Sequence, residues 1–387
     1  MKGNLMKVFI DVSVLTLATF VTGIQRVTRE ITVRLIECQD FEVVLLHYNA
    51  AKDIYYKIDN TAFVNYYVRN KGIKEKMITK KEVPLSEIKE GTTFFDLDAS
   101  WMCRMKRSYL LPILKQQGAR VIAHIYDIIS ITHPQFCLER GVYNFMDFIG
   151  AHLQYADKII TNARATVTEL EMLTSRIGSK LPECVVVPLG ADFKENKTVT
   201  DEEVSGELVK IVKEKPFILM VGTIEPRKNH KLLLDAYDRG LKESGYNVIM
   251  AGYMGWNMET FEKRLKEHPD YNKGVYHFAG LGDKEIAYLY QHAKFLAFLS
   301  YTEGFGLPII EAMHYGTPVI AADVPVLREV GGENCVWFRQ DDVSGFISMI
   351  GKAHRNSLNI KADSYLEKFL ELISWDECTV RVQKALR

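Results

Sequence analysis

The sequence lacks the features that mark several classes of protein. Its 387 residues carry 49 Lys and Arg against 49 Asp and Glu, so the formal net charge is zero. Affinity for duplex nucleic acid comes mainly from neutralising phosphates with a basic surface, so this balance argues against a dedicated nucleic-acid-binding protein. No run of 18 residues is without charged side chains, so no transmembrane helix is expected.

Cysteines are few and widely spaced. No two of the six form a Cys-x-x-Cys pair, which excludes the usual metal clip and the usual redox couple. They indicate buried thiols in a reducing compartment, and we expect a cytoplasmic protein. Lys2 and Lys7 precede an apolar stretch over residues 8–21, as in an export signal, but Asp11 interrupts it. We therefore expect a first buried strand there.

Apolar runs bounded by turn residues alternate with segments of helical period along most of the chain. This alternation predicts an α/β fold in which helices cover parallel sheets. The predicted strands cover residues 7–11, 42–47, 92–96, 120–126, 158–161, 184–187, 217–221, 247–251, 274–278, 293–299 and 318–321.

The alternation breaks once, at residues 192–215, which are rich in charge and poor in large apolar side chains. Because domains usually contain ~100–200 residues, the length also predicts two of them. We expect two doubly wound, Rossmann-like domains over residues 1–195 and 196–364. Such domains bind ligands at the carboxyl ends of their strands, so a cleft between facing domains is expected.

The most informative segment is SYTEGFGLPIIEAMHYGTPVIAADVPVLREV, residues 300–330. A strand feeds a short polar loop and then a helix that begins near Leu307, with Pro308 in its first turn. Gly304 and Gly306 let the backbone approach a ligand, and the N–H groups at the helix start favour an anion. Glu303 and Glu311 suit sugar or ribose hydroxyls, which donate hydrogen bonds.

A second loop, GTIEPRKN over residues 222–229, also follows a predicted strand. It lacks the Gly and Ser or Thr of a Walker phosphate loop, and the glycine pattern near Gly306 lacks the third Gly of a dinucleotide fingerprint. What this loop offers is Arg227 and Lys228, two cations at a strand-to-helix turn. A solvated helix start is the alternative interpretation of the pair.

These segments resemble the retaining glycosyltransferases of family 4, of bacterial polysaccharide type, which have the GT-B fold. The family's Glu-x7-Glu motif corresponds to Glu303-GFGLPII-Glu311, and VGTIEPRKNHKLLLDAY is similar to its Arg-Lys-Asn turn. VPLGAD, residues 187–192, resembles the end of the family's first domain. SWDECTVRV, residues 374–382, resembles the C-terminal helix, here expected over residues 365–387, that packs back on that domain.

The resemblance implies a role for each matching residue. Arg227 and Lys228 would hold the donor diphosphate, helped by the backbone of Gly304, Phe305, Gly306 and Leu307. Glu303 would contact the transferred sugar, and Glu311 would bind the ribose hydroxyls of the donor. Gly23, in TGIQRV, would occupy a tight loop that approaches phosphate or acceptor.

The first domain departs from the family at one point. Related enzymes often carry a His-Asp pair at a strand end, whereas this chain has Tyr126 and Asp127 there, with His124 two residues earlier. Asp127 is our first candidate to assist the acceptor, with loop capping as the alternative. His124 is the weaker candidate and is expected to lie in the core. Asp96-Leu97-Asp98 looks like a metal-binding Asp-x-Asp but is explained by a strand end; Asp98 is kept as an acceptor contact.

The implied activity is retaining transfer of a hexose or deoxyhexose, such as mannose or rhamnose, to a saccharide or lipid-linked acceptor in surface polysaccharide synthesis. The donor is a GDP-, dTDP- or UDP-linked sugar, bound as substrate without metal or other cofactor. A nucleotide-sugar epimerase or hydrolase of the same fold is one alternative. A non-catalytic nucleotide-sugar-binding subunit is another.

Residues 55–81 carry seven basic residues against two acidic ones, interleaved with aromatic residues. A solvated helix-and-loop face is the simpler interpretation of such a run. The alternative is peripheral contact with an anionic lipid-linked acceptor at the inner membrane face.

Overall fold

A computed structural model describes residues 5–18, 22–191, 198–354 and 373–387. The chain divides into two compact units. Met1–Gly190 and Trp375–Arg387 form the first, and Ala191–Ser374 form the second. The expected boundaries at 195–196 and 364–365 fall outside the described residues, as does the 365–372 part of the expected C-terminal helix.

The first unit is built on a sheet of eight strands among the described residues. They are β1 Met6–Asp11, β2 Phe41–Asn49, β3 Ile54–Ile58, β4 Ile78–Val83, β5 Thr92–Asp96, β6 Arg120–Ile125, β7 Lys158–Thr161 and β8 Glu183–Val186. Their order across the sheet is β4-β3-β2-β1-β5-β6-β7-β8. The neighbouring strands in the series β2-β1-β5-β6-β7-β8 pair in parallel. At one edge of the sheet, β3 pairs antiparallel with β2, and β4 pairs antiparallel with β3.

Helices cover this sheet. They are α1 Ser13–Leu17, α2 Gly23–Glu37, α3 Asn60–Arg69, α4 Arg107–Gln116, α5 Ile129–Thr132, α6 Glu139–Tyr155, α7 Arg164–Ile177 and, from the other end of the chain, the last helix Trp375–Leu386. Trp375 of that last helix is 1% exposed. Arg34 of α2 forms an ion pair with Asp376, Nε to Oδ1 2.6 Å, so the C-terminal segment is fastened to α2.

The second unit contains a sheet of six parallel strands in its described part. They are β9 Phe217–Val221, β10 Asn247–Ala251, β11 Val275–Phe278, β12 Phe295–Phe298, β13 Val319–Ala322 and β14 Cys335–Phe338, in the order β11-β10-β9-β12-β13-β14. The helices are α8 Gly206–Glu214, α9 His230–Ala236, α10 Glu259–Lys266, α11 Asp283–His292, α12 Leu307–His314, α13 Pro325–Gly331 and α14 Val343–His354. In chain order, the next helix that the structure describes is Trp375–Leu386 of the first unit, which is labelled α15.

The α/β class and the two doubly wound sheets are confirmed. The predicted strands at 92–96, 158–161, 217–221 and 247–251 match the structure residue for residue. They are short apolar runs, as expected for strands covered by helices on both faces. The first apolar run also forms the buried strand β1, as predicted.

The prediction for residues 55–81 is wrong in part, because two strands flank the helix there. β3 and β4 were missed, since β4 has the sequence ITKKEV and its exposed Lys80, Lys81 and Glu82 hide the apolar alternation. Such charges are typical of an edge strand, where they prevent pairing with another chain. The sheet of the first unit is therefore mixed, whereas a parallel sheet was expected. β14 was also missed.

Candidate active site

Two loops of the second unit meet because their strands are neighbours. β9 and β12 pair in parallel, so the loops that follow them lie at the same edge of the sheet. The Tyr301 N–H donates to the carbonyl oxygen of Arg227 over 2.8 Å, and Arg227 Nη1 donates to the carbonyl of Thr302 over 2.8 Å. These bonds join the two segments that the sequence singled out.

The loop after β12 has the backbone that the glycine pattern predicted. Gly306 has φ 108° and immediately precedes α12, with Pro308 in the first turn of that helix. A Cβ on Gly306 would lie 2.9 Å from the side chain of Leu327, so both the dihedral angle and the space require glycine. The helix therefore starts where expected, and the Ile309 N–H already donates to the carbonyl oxygen of Gly306 over 3.0 Å.

The loop after β9 is equally constrained. Gly222 has φ 128°, and residues Pro226–Lys228 form a 3₁₀ turn that ends at Asn229 in the left-handed region. A Cβ on Gly252, after β10, would lie only 2.0 Å from the Gly222 carbonyl oxygen. This close approach of two backbones holds the turn and presents Arg227 and Lys228 at the strand ends.

Glu303 binds both cations. Its Oε2 lies 2.6 Å from Arg227 Nη1 and its Oε1 lies 2.6 Å from Lys228 Nζ, while Ser300 Oγ donates to Oε1 over 2.7 Å. Burial alone would raise the pKa of this carboxyl. The charges of Arg227 and Lys228, with their hydrogen bonds, lower the pKa of Glu303 to about 2. Glu303 is therefore ionised at any working pH.

Glu225 completes this cluster, and sequence reasoning missed it. It lies two residues before Arg227, and its Oε1 is 2.7 Å from Arg227 Nη2. Its side chain is 4% exposed. Only its place beside two cations in the sequence EPRK could have drawn attention to it.

Glu311 lies in the second turn of α12 and is 6% exposed. Tyr290 of α11 donates a hydrogen bond from its hydroxyl to Glu311 Oε2 over 2.8 Å. Tyr290 is fully buried and was also missed, because its position 21 residues upstream carries no local signal. Phe305 is 6% exposed, so a ligand would contact mainly its backbone.

In the first unit, Asp127 is half-buried and accepts the Ile129 N–H at Oδ1 over 2.9 Å, so its side chain holds the turn that leads into the short helix α5. His124 is completely buried. Its Nε2 lies 2.6 Å from Asn162 Oδ1, and its ring stacks on Tyr126 with centroids 4.4 Å apart. Burial lowers the pKa of His124 to about 4. The expectation of a neutral core histidine fits these contacts.

Asp96 and Asp98 have structural partners. Asp96 binds the Arg107 guanidinium through both oxygens, at 2.6 and 2.9 Å. Asp98 is 1% exposed and accepts the N–H groups of Leu15 and Ala99 at 2.7 and 2.8 Å. Burial raises the pKa of Asp98 to about 7. With both oxygens occupied by the backbone, the expected acceptor contact of Asp98 has no support from this geometry.

Gly23 is placed differently from the prediction. It is the first residue of α2, after Thr22 at the N-cap, and is not in a tight loop. The TGIQRV sequence forms a capping arrangement in which Gln25 Oε1 accepts the Thr22 N–H over 3.0 Å. The tight-loop prediction is therefore wrong, because a capping box and a glycine-rich turn have similar composition.

Residues 203–361 match the family model described as glycosyl transferases group 1. The second unit belongs to this glycosyltransferase family. The residues that match this family model include both loops of the site. Among the groups that the structure describes, no cluster of three or more His, Cys, Asp or Glu side chains could hold a metal ion. Within the same ranges, every helix is too short or too polar to cross a membrane.

Sequence similarity to other proteins extends beyond the residues that match the group 1 model. The chain is 28% identical over 346 residues to the serotype-specific mannosyltransferase WbdA of Escherichia coli, covering 87% of this chain and 40% of WbdA. It is 31% identical over 180 residues to the O-antigen chain mannosyltransferase B of the same species, covering 44% and 45%. The chain thus spans less than half the length of these relatives.

Solved structures show the same fold. HepE of Anabaena, in complex with UDP and glucose, superimposes with a TM-score of 0.66 at 15% identity, over 98% of this chain and 99% of that one. Sucrose-phosphate synthase of Thermosynechococcus elongatus gives 0.69 at 17% identity, over 98% of each chain. The GT-B fold expected from the sequence is confirmed by these neighbours.

Proposed function

We propose that the chain is a retaining, metal-independent glycosyltransferase. It moves a hexose, with mannose as the first candidate, from a nucleotide-diphosphate sugar to a saccharide or lipid-linked acceptor in surface polysaccharide synthesis. The names of the mannosyltransferase relatives support the sugar and the polysaccharide. The observation that carries the proposal is the meeting of Arg227, Lys228 and Glu303 beside the start of α12.

Breaking the bond between the anomeric carbon and the diphosphate places negative charge on the leaving group. Arg227, Lys228 and the backbone N–H groups of residues 304–307 would stabilise that charge; one well-placed donor of this kind contributes about 3 kcal/mol. These groups supply positive charge at the place where a metal ion would otherwise act. The acceptor hydroxyl would attack on the face that the diphosphate leaves, and the diphosphate would take its proton, which gives retention.

A panel of GDP, UDP, dTDP and ADP in thermal-shift measurements tests the donor site. A ligand at 100 times its dissociation constant adds about 2.7 kcal/mol of stability, so the correct base raises the melting temperature most. We expect one of the first three to do so. Equal, negligible shifts from all four nucleotides would contradict a nucleotide-sugar site.

Glu311→Ala should weaken donor binding by about ten- to a hundredfold, because hydrogen bonds to a charged group contribute about 1.5–3 kcal/mol. Calorimetry with the nucleotide found in the panel measures this. Tyr290→Phe is the matched control: it keeps the Glu311 carboxylate and removes only the hydroxyl that holds it. A smaller loss is expected there. Unchanged donor affinity in Glu311→Ala would refute the ribose role.

Peripheral membrane contact rests on the basic run over residues 55–81. Lys71, Lys76 and Lys80 are exposed near α3 and β4, whereas Lys74 is partly buried and its ammonium donates to the carbonyl oxygen of Ala18. Reversing the three exposed charges to Glu should abolish binding to vesicles that contain anionic lipid, since each basic residue near the surface contributes about 1 kcal/mol. Lys231→Glu is the control, because Lys231 has an exposed side chain on the surface of α9 in the second unit. Vesicle binding that is insensitive to the triple reversal would remove this part of the proposal.

A further inference from the structure

Glu225 is a buried carboxylate for which the proposed reaction has no use. Its residue is 3% exposed, and its Oε1 lies 2.7 Å from Arg227 Nη2. The other amino group of the same guanidinium, Nη1, lies 2.6 Å from Glu303 Oε2. Arg227 is therefore held between two carboxylates, and both of its amino groups are engaged before any diphosphate arrives.

The charges in this cluster cancel. The charged groups that act on Glu225 are Arg227 and Lys228 from its own turn and Glu303 from the loop after β12. Two cations thus face two carboxylates. A bound diphosphate diester would bring two further negative charges into a site where both cations are already paired. Buried charge without compensation is costly, so a group in the cluster is expected to change its protonation state.

Glu225 is the group best placed to do so. Glu303 receives hydrogen bonds from Lys228, Arg227 and Ser300, and its pKa of about 2 shows how strongly the ionised form is held. Burial instead raises the pKa of Glu225 above its ordinary value, although Arg227 and Lys228 oppose this. His230, beyond Lys228, cannot supply positive charge, because burial lowers its pKa to about 3.

We propose that Glu225 is a positioning residue that keeps Arg227 oriented before the donor binds and takes up one proton from solvent when the diphosphate of the nucleotide sugar binds. The proton resides on the Glu225 carboxyl, which then no longer competes with the diphosphate for Arg227. This inference rests on the proposed function, since it assumes that the ligand is a diphosphate. It adds a linkage between pH and donor affinity that the reaction itself does not require.

Calorimetry of nucleotide-sugar binding from about pH 5.5 to about pH 8, in two buffers of different ionisation enthalpy, tests the proton uptake. A nucleotide sugar is used because its diphosphate diester does not titrate there, unlike the terminal phosphate of a free nucleoside diphosphate. For the wild-type chain we expect tighter binding as the pH falls, approaching tenfold per pH unit for one proton. The apparent enthalpy should differ between the buffers.

Glu225→Gln mimics the protonated carboxyl, so its affinity should be independent of pH and of buffer and, at about pH 8, should exceed that of the wild-type chain. Glu259 is an exposed residue at the start of α10, so Glu259→Gln is the matched control. Its donor affinity should change with pH as that of the wild-type chain does. Binding without pH or buffer dependence in the wild-type chain would overturn the role of Glu225, as would a wild-type slope in Glu225→Gln. If the variant does not fold, the wild-type measurement alone can still overturn the role, by showing no proton uptake. Absence of any nucleotide-sugar binding would instead refute the proposed function and this role with it.

Discussion

Arg227→Ala and Lys228→Ala should each lower turnover by about a hundredfold. Each variant removes a cation that faces the leaving diphosphate, and about 3 kcal/mol of transition-state stabilisation corresponds to roughly that factor. The loss should be larger in kcat than in the affinity for the donor, because negative charge grows on the leaving group during the reaction. Steady-state kinetics with saturating acceptor, followed by release of nucleoside diphosphate, measures both quantities.

Both variants also remove a partner of Glu303, so their melting temperatures must be measured in parallel. Lys231→Ala is the matched control in the same segment: its side chain is 72% exposed and pairs with Asp235 on the helix surface. Its turnover should stay close to that of the wild-type chain. Folded Arg227→Ala and Lys228→Ala proteins with wild-type turnover would contradict the assignment of the phosphate site.

Arg107→Ala should destabilise the first unit by about 3–5 kcal/mol, the usual result of removing one partner from a buried ion pair. Arg107 is 1% exposed and binds Asp96 through two hydrogen bonds and Asp11 Oδ2 over 2.9 Å. These carboxylates stand at the ends of the neighbouring strands β5 and β1, and without Arg107 they would be buried charges without their cation. Urea denaturation monitored on the first unit measures the loss.

The pH dependence of this effect has a defined sign. Burial alone would raise the pKa of Asp96, but the charge of Arg107, with His152, lowers it well below the ordinary value of 3.8. The stabilisation is therefore present above about pH 4 and is lost as the pH falls toward the lowered pKa. Arg328→Ala breaks an exposed pair with Asp323 and should change the stability little, because solvent screens exposed ion pairs. An equally small loss in Arg107→Ala would contradict the structural role of this cluster.

The sequence was sufficient to predict the α/β architecture and both loops of the candidate site. Strands such as β9 and β10 are short apolar runs closed by glycine, and such runs keep their signal wherever helices cover both faces. The loop around Gly306 was predictable because positive φ, a helix start and close packing all favour the same residue.

What the sequence could not supply depends on side chains that meet across the fold. Glu303 and the pair Arg227–Lys228 were assigned to different parts of the donor, and nothing in their spacing shows that they bind one another. Asp98 was kept as an acceptor contact because the strand ends of this domain were expected to face the cleft. In the structure its oxygens hold Leu15 and Ala99. β4 was not predicted for a different reason: its exposed charged side chains obscure the apolar alternation.

The most direct measurement is sugar transfer by the purified chain in a buffer with EDTA. Nucleotide sugars are supplied with and without saccharide acceptors, and both the released nucleoside diphosphate and the extended saccharide are quantified by mass spectrometry. We expect release only with acceptor, one extended saccharide for each nucleotide released, and loss of both in the Arg227→Ala, Lys228→Ala double variant. Consumption of donor without acceptor would indicate a hydrolase or epimerase. Binding without turnover across the acceptor panel would indicate a non-catalytic subunit, and either result would contradict the proposed transferase.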